Sequence, residues 1–314
     1  MKRFLIQTAV VCAGVLLSGA MADAQYMRLR GLSVAPAYEG WRPLADGTFE
    51  IIFGYMNSNW EEEFDLPVGP DNHFEPGNAD RGQPTHFYPR RNRYVFRVHV
   101  PKDFGKQELV WTLTTNGKTL KAYGSLTPDY LLNDISMESD NGSLSGATIT
   151  TPEIRMNTAP QIEAVGDSIR TVKVGETLVL ASHAIDDGLP PTRERGNRNI
   201  GSRLAEEAGV QDLRLVPPRQ VTQSSAVGGL WVSLIKYRGP GNVDIEPAQI
   251  KTWEDTRPSA NSPWAPRWVP PPAPGDGKWQ VTVKFDQPGE YVLRWHASDG
   301  GLYTDTDVKV TVTK

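Results

Sequence analysis

The segment GPDNHFEPGNADRGQPTHFYPRR, residues 69–91, collects side chains that could perform acid–base or metal chemistry. It holds two histidines, three carboxylates and three arginines: His73, His86, Asp71, Glu75, Asp80, Arg81, Arg90 and Arg91. Its histidines could bind a metal, but their spacing is not the H-E-x-x-H frame of a zinc helix. A glycosidase needs two acids about 5 to 10 Å apart, which a loop sequence cannot define. The chain also lacks a G-x-S-x-G elbow and a phosphate-binding glycine loop, so no catalytic site is predicted.

The same segment has the composition of an ordered loop. Four prolines restrict its backbone, three glycines permit turns, and Phe74, Phe87 and Tyr88 can anchor it. We therefore predict an Ω-like loop packed on its own domain and taking part in the domain interface. Its arginines, Arg81, Arg90 and Arg91, are expected to pair with carboxylates or contact a partner. The segment resembles uncharacterised secreted bacterial proteins with V-G-x-x-N-x-F-x-P-G and P-T-H-F-x-P-R-R patterns, which implies no activity.

A secretory signal is predicted over residues 1–24. Two basic residues precede an apolar run from Phe4 to about Leu17 and an A-x-A sequence ending at Ala24, the three-part layout of a cleaved signal. An uncleaved anchor is the alternative, but the run is short for a span of about 20 residues. Cys12, the only cysteine, lies inside this segment. We expect a periplasmic or extracellular protein without disulfides or a cysteine nucleophile.

Net charge and composition exclude some classes of function and indicate the fold class. Cleavage would remove Lys2, Arg3 and Asp23, which sum to +1, so the formal net charge changes from −4 to −5. A mildly acidic chain with no basic run lacks the electrostatic footprint of a nucleic-acid or anionic-membrane binder. Abundant Gly and Pro with short β-branched and aromatic runs predict an all-β protein of two β-sandwich domains.

The first sandwich is predicted at residues 26–135. In its strand 93–101, alternation places Tyr94 and Phe96 on one face and His99 on the solvent face. Asn116-Gly117 joins two alternating runs and predicts a tight hairpin. Residues 136–157 are polar and are predicted to be a linker.

The second domain, residues 158–314, resembles a PKD-type, immunoglobulin-like domain. Such domains open on N-x-x-P and a G-[ED]-T strand, and close on P-G-x-Y, D-G and a final T-V-x-V strand. The matching positions are Asn157, Pro160, Gly175, Glu176, Thr177, Pro288, Gly289, Tyr291, Asp299 and Gly300. The resemblance implies an immunoglobulin-like sandwich in which Trp231 is the core tryptophan of the third strand.

The resemblance also implies a metal. Some PKD-like domains bind calcium in these regions, and the oxygen donors here are Asn157, Asp186, Asp187 and Asp299. The sequence A-I-D-D-G departs from the more usual D-x-D-G. The alternative is that these carboxylates cap turns. Calcium is the only cofactor that the resemblance implies.

Two long insertions interrupt the second domain. One separates Asp187 from Trp231 and has a short helix predicted at 202–209, and the other covers 251–279. In an immunoglobulin-like sandwich these insertions and the turn after Asp299 gather at one end. The aromatic candidates for a sugar or protein contact are Trp253, Trp264, Trp268 and Tyr303. The alternative is that they pack against the first domain and fix the angle between the domains.

The sequence thus predicts a non-catalytic binding or structural module of the bacterial envelope, with a protein or polysaccharide partner and no nucleic-acid partner. No membrane span is expected after signal cleavage. The competing interpretation is an enzyme, or the accessory subunit of a hydrolase, with its site between the domains. An acid pair or histidine cluster in that cleft would favour the enzyme.

Overall fold

The protein is described by a computed structural model over residues 30–141, 156–190, 229–250 and 273–314. The predicted signal, the helix predicted at 202–209 and the side chains of Trp253, Trp264 and Trp268 lie outside these ranges. Within them the prediction of an all-β fold is confirmed. No helix among the described residues is long and apolar enough to cross a membrane.

Eight strands build the first domain. They are β1 (Val34–Pro43), β2 (Phe49–Asn57), β3 (Phe64–Asp65), β4 (Asn72–Glu75), β5 (His86–Phe87), β6 (Arg90–Val100), β7 (Leu109–Thr115) and β8 (Lys118–Gly124). The sheet β1-β2-β6 packs on the sheet β4-β7-β8, and β3 pairs with β5. The core between the sheets is aromatic: every pair among Phe53, Phe74, Phe96 and Trp111 has ring centroids 5.0 to 6.0 Å apart.

The hairpin predicted at Asn116-Gly117 is confirmed, because both residues have positive φ (48° and 73°) between β7 and β8. Tyr94, in contrast, does not share the core face of Phe96. A register shift in the β2–β6 pairing and a φ of 54° at Tyr94 turn its ring to the outer face of the sheet. A bulge of this kind breaks the period of two on which the prediction rested.

Eight strands also build the second domain. They are β9 (Gln161–Ala164), β10 (Ile169–Lys173), β11 (Leu178–Ile185), β12 (Trp231–Arg238), β13 (Val243–Glu246), β14 (Lys278–Phe285), β15 (Gly289–Ser298) and β16 (Tyr303–Thr313). The sheets have the orders β13-β14-β11-β9 and β10-β16-β15-β12. These orders are those of an immunoglobulin-like sandwich, with β10 added parallel to β16.

The core of this domain contains Trp279 and Trp295, not Trp231 as predicted. Val232 and Leu234 point into the core, so Trp231 lies on the opposite face of β12. The alternation predicted for β15 is confirmed by the burial of Tyr291 and Trp295.

A helix, α1 (Asp134–Asn141), begins within two residues of the predicted linker and extends into it. Asn133 caps its N-terminus, since its side-chain oxygen accepts hydrogen bonds from the backbone N–H and the hydroxyl of Ser136. Met137 is buried against the outer face of the β1-β2-β6 sheet. The polar composition predicted a linker and no helix here, because one buried apolar side chain gives almost no helical periodicity.

Candidate functional site

The 69–91 segment lies along the edge of β12 in the second domain. Thr85 N–H donates to the Tyr237 carbonyl at 3.1 Å, and Gly239 N–H donates to the Thr85 hydroxyl at 3.2 Å. Lys236 N–H donates to the Tyr88 hydroxyl at 2.9 Å. Edge strands present unpaired backbone groups, and the first domain satisfies those of β12 at Lys236 and Tyr237.

Side chains of β12 in turn reach into the 69–91 segment. The Tyr237 hydroxyl donates to the Gly82 carbonyl at 2.5 Å, and Arg238 Nε donates to the Gln83 carbonyl at 2.8 Å. Arg238 also holds both carboxylate oxygens of Asp80, at 3.0 and 2.8 Å. The hydrogen bond from Arg238 is the main reason why the pKa of Asp80 lies below its usual value.

The second domain covers the free edge of β6 in the same way. Tyr303 donates its hydroxyl hydrogen to the Tyr94 carbonyl, and Arg294 Nη1 donates to the Val95 carbonyl at 2.8 Å. Arg294 is fixed by two hydrogen bonds to Asp307, at 2.7 and 2.9 Å, and by stacking 3.6 Å above the Tyr237 ring. Each domain therefore hydrogen-bonds part of a sheet edge of the other.

A small apolar cluster completes this domain junction. It consists of Ile52, Tyr94, Met137, Leu302 and Tyr303, with Leu132 packed against it. These residues come from the outer face of the first sheet, from α1 and from the turn between β15 and β16. The junction is thus apolar at one place and hydrogen-bonded along the two edges.

The predicted arginines act within the first domain. Arg81 donates to the carbonyls of Asn78 and Pro76, and Arg91 pairs with Glu39 at 2.7 Å. Arg90 stacks 4.0 Å above the Trp60 ring and donates to the Ser58 carbonyl.

The structure places Tyr303 in the junction, where it is buried. Arg238 and Arg294, which make the cross-domain contacts, were not predicted. Their only sequence signal is a cation within an alternating strand, and that signal does not say which surface the strand faces.

Three residues of the types found in a hydrolase triad, Ser233, His296 and Asp305, form a row across the neighbouring strands β12, β15 and β16. Ser233 lies directly opposite His296, and His296 lies directly opposite Asp305. His296 Nδ1 is 2.7 Å from Asp305 Oδ1. Burial alone would raise the pKa of Asp305, but the adjacent His296 and Arg294 lower it below its usual value.

This row is not arranged as an active site. The Ser233 hydroxyl has no hydrogen-bond partner and its residue is 1% exposed, so neither the general base nor a substrate reaches it. The row instead belongs to the face of β12, β15 and β16 from which Tyr237, Arg294 and Tyr303 contact the first domain.

The predicted calcium donors are brought partly together beside α1. Asn157 Nδ2 donates to Glu138 at 2.8 Å and to Asp299 at 3.1 Å. Asp187 instead caps a turn, accepting from the backbone and hydroxyl of Thr158. Burial raises the pKa of Asp299 to about 6.

Two oxygens in this region are candidate ligands for a hard cation. Asn157 Oδ1 and Asp186 Oδ1 are buried and have no hydrogen-bond partner. Burial and the adjacent Asp187 raise the pKa of Asp186, as is expected of a carboxylate without a counter-ion. Among the described residues, however, no group of three or more His, Cys, Asp or Glu side chains could hold a metal, so a cation would rely on the amide and on other oxygens.

Comparison with known proteins gives no family. No family model matches the chain, and no curated protein matches it. Solved structures with some likeness are domains 4 and 5 of the S-layer protein SbsC (TM-score 0.23, 9% identity, 67% of this chain and 66% of that one) and immunoglobulin domains 1–4 of Sidekick-1 (0.21, 14%, 89% and 48%). A third is the D00-D0 domain of intimin (0.22, 9%, 89% and 100%). The chain thus spans just under two thirds of the SbsC fragment. TM-scores this low do not establish a structural relationship. The assignment of an immunoglobulin-like fold is based on the strand order.

Proposed function

We propose that this chain is a non-catalytic structural or binding module of the bacterial envelope, in which two β-sandwiches act as one rigid body. The observation that carries the proposal is the reciprocal covering of β6 and β12 at the domain junction. Separating the domains would expose two sheet edges and the cation of Arg294, which is 13% exposed with its partners in place. Uncovered edges are sites of unwanted pairing between chains, so the closed arrangement is the favoured state.

A rigid pair of sandwiches suits a protein that presents a surface at a fixed distance and angle. The loops at one end of an immunoglobulin-like sandwich are common binding surfaces, and the strands that flank both long insertions of the second domain end there, at the end that also holds the turn after Asp299. We place the partner contact on these insertions, with Trp264 and Trp268 as anchors. The partner is an envelope protein or polysaccharide.

The test is binding of the purified protein from Gln25 onward to isolated cell envelopes and to a glycan array. We expect retention on envelopes, and loss of at least about tenfold in affinity for Trp264→Ala/Trp268→Ala, because aromatic anchors carry much of the energy of a contact. Tyr123→Ala, which removes a half-exposed aromatic side chain elsewhere, is the matched control. Unchanged binding of the double variant with a lowered melting temperature would show that these tryptophans pack between the domains instead.

A second proposal concerns the cation site beside α1. We propose that Ca²⁺ is bound with Asn157 Oδ1 and Asp186 Oδ1 as ligands and that Asp299 contributes charge, because unpaired buried oxygens suit a hard cation. Calorimetric titration of chelator-treated protein should show binding and a rise in melting temperature with millimolar Ca²⁺. Asn157→Ala should remove both effects, whereas Asp167→Asn at an exposed carboxylate should not. Absence of heat and of any thermal shift would end the proposal.

A further inference from the structure

His86 lies at the domain junction with both of its ring nitrogens facing carboxylates. Nδ1 is 2.9 Å from Asp65 Oδ1, and Nε2 is 3.0 Å from Glu63 Oε2. The imidazole is 8% exposed, so water does not replace either contact. A neutral imidazole carries a single N–H and can donate to only one of the two carboxylates. Both contacts can be hydrogen bonds to ionised carboxylates only when the imidazole is doubly protonated.

Asp65 connects this histidine to the second domain. Its Oδ1 also accepts a hydrogen bond from Lys236 Nζ at 2.7 Å, and Nζ donates in addition to the Gly241 carbonyl at 2.6 Å. Lys236 is buried on β12, next to the backbone groups that the 69–91 segment covers. The same carboxylate oxygen thus binds a cation from each domain.

The charges of this group balance only when His86 is protonated. Glu63 and Asp65 contribute two negative charges, and His86 and Lys236 contribute two positive charges. Two tyrosines are further titratable neighbours: the Tyr88 ring meets His86 edge-on at 4.5 Å, and the Tyr55 hydroxyl accepts from Tyr88 N–H. Burial raises the pKa of both phenols, so they stay neutral.

We propose that Glu63, Asp65, His86 and Lys236 form a proton-operated clamp between the two domains. The clamp is closed while His86 is an imidazolium. When the ring loses its proton, one ring nitrogen presents a lone pair to a carboxylate, and the group carries an uncompensated negative charge. His86 is then held less firmly by Asp65 and Glu63, and the 69–91 segment that carries it loses part of the anchoring that presents Thr85 and Tyr88 to β12.

The pH range follows from the sign of the shift. Burial lowers the pKa of His86, but the hydrogen bonds and charges of Asp65 and Glu63 outweigh burial and raise it above the usual 6.5. A raised histidine pKa gives stability that is fully present below 6.5 and is lost as the pH rises through the folded value. Asp65 has a lowered pKa, because His86 and Lys236 outweigh its own burial, so its contribution is lost only in acid, as the pH falls through its folded pKa. The clamp is therefore strongest from mildly acidic to neutral pH.

The test is an NMR titration of the mature full chain with hydrogen exchange at the junction. The His86 ring should titrate above pH 6.5 with both nitrogens protonated below that point. Protection of the Thr85 and Lys236 amides, corrected for intrinsic exchange, should fall with rising pH. The expected fall is about tenfold for each unit by which the folded pKa exceeds the unfolded one.

Two variants separate the clamp from a general loss of folding. Glu63→Gln keeps Asp65 and should lower the pKa of His86, moving the loss of protection to lower pH. His99→Gln, at a largely exposed histidine of the first domain, should leave the profile unchanged. Titration of His86 at or below 6.5, or amide protection that does not follow His86, would overturn the proposal.

Discussion

Single side chains explain much of what holds each sandwich together. Tyr291, near the start of β15, donates its hydroxyl hydrogen to the Gln287 carbonyl four residues upstream and accepts from Gly241 N–H. This is the tyrosine corner found at the same strand of many immunoglobulin-like domains. The hydroxyl fixes two loops that would otherwise have to satisfy buried backbone groups with water.

Tyr291→Phe should therefore lower the free energy of unfolding by about 1 to 3 kcal/mol, since it leaves a buried donor and acceptor without a partner. Urea denaturation measures this change. Tyr123→Phe, at a half-exposed ring, is the control and should have almost no effect. An equal loss in both variants would show that the corner contributes nothing specific.

Removing the Ser233 hydroxyl should have the opposite effect on stability. Its hydroxyl is buried without a partner, so Ser233→Ala should be neutral or stabilise the protein by up to about 1 kcal/mol. A fluorophosphonate probe should not label the wild-type protein. Labelling that disappears in Ser233→Ala would instead identify Ser233, His296 and Asp305 as a working triad.

At the scale of elements, the hairpin between β7 and β8 shows where local sequence suffices. Gly117 has a φ of 73° and open space around it, so backbone conformation alone demands glycine there. Gly117→Ala should destabilise the protein by about 1 to 2 kcal/mol. Lys118→Ala, at the exposed next position, should cost far less in the same denaturation experiment. A neutral Gly117→Ala would mean that the turn relaxes without strain.

In other elements the sequence pattern was not enough to predict which side chains face the core or where a helix forms. Alternation predicted the core face of β15 because one face of that strand is buried in a single core. It failed at Tyr94, where a bulge intervenes. The core position of Trp231 was implied by the resemblance to PKD-type domains and was wrong, because Val232 and Leu234 occupy the core face of β12. The helix α1 depends on a cap at Asn133 and one buried methionine, which is too little apolar pattern to recognise.

The candidate site was predicted in outline only. The prolines, glycines and aromatic side chains of the 69–91 segment predicted an ordered loop at the domain interface. The structure shows that loop against β12. The clamp partners of His86 could not be foreseen, because Asp65 and Lys236 are 171 residues apart. Contacts of this range depend on how two folded surfaces meet.

For the whole molecule, the domain junction decides the behaviour. Domains in one chain usually move relative to each other unless the interface is extensive and apolar. Here the constraint comes from two sheet edges, the fixed cation of Arg294 and a small apolar cluster. We therefore expect the two sandwiches to reorient together in solution at neutral pH.

Residual dipolar couplings of the mature chain test this claim most directly. The backbone couplings of both sandwiches should fit one alignment tensor at pH 6.5, with the relative orientation seen in the structure. Arg294→Met, which removes the hydrogen bonds to Asp307 and Val95, should separate the two tensors while each sandwich stays folded. Two different tensors in the wild-type protein at that pH would show that the two sandwiches do not form one rigid body.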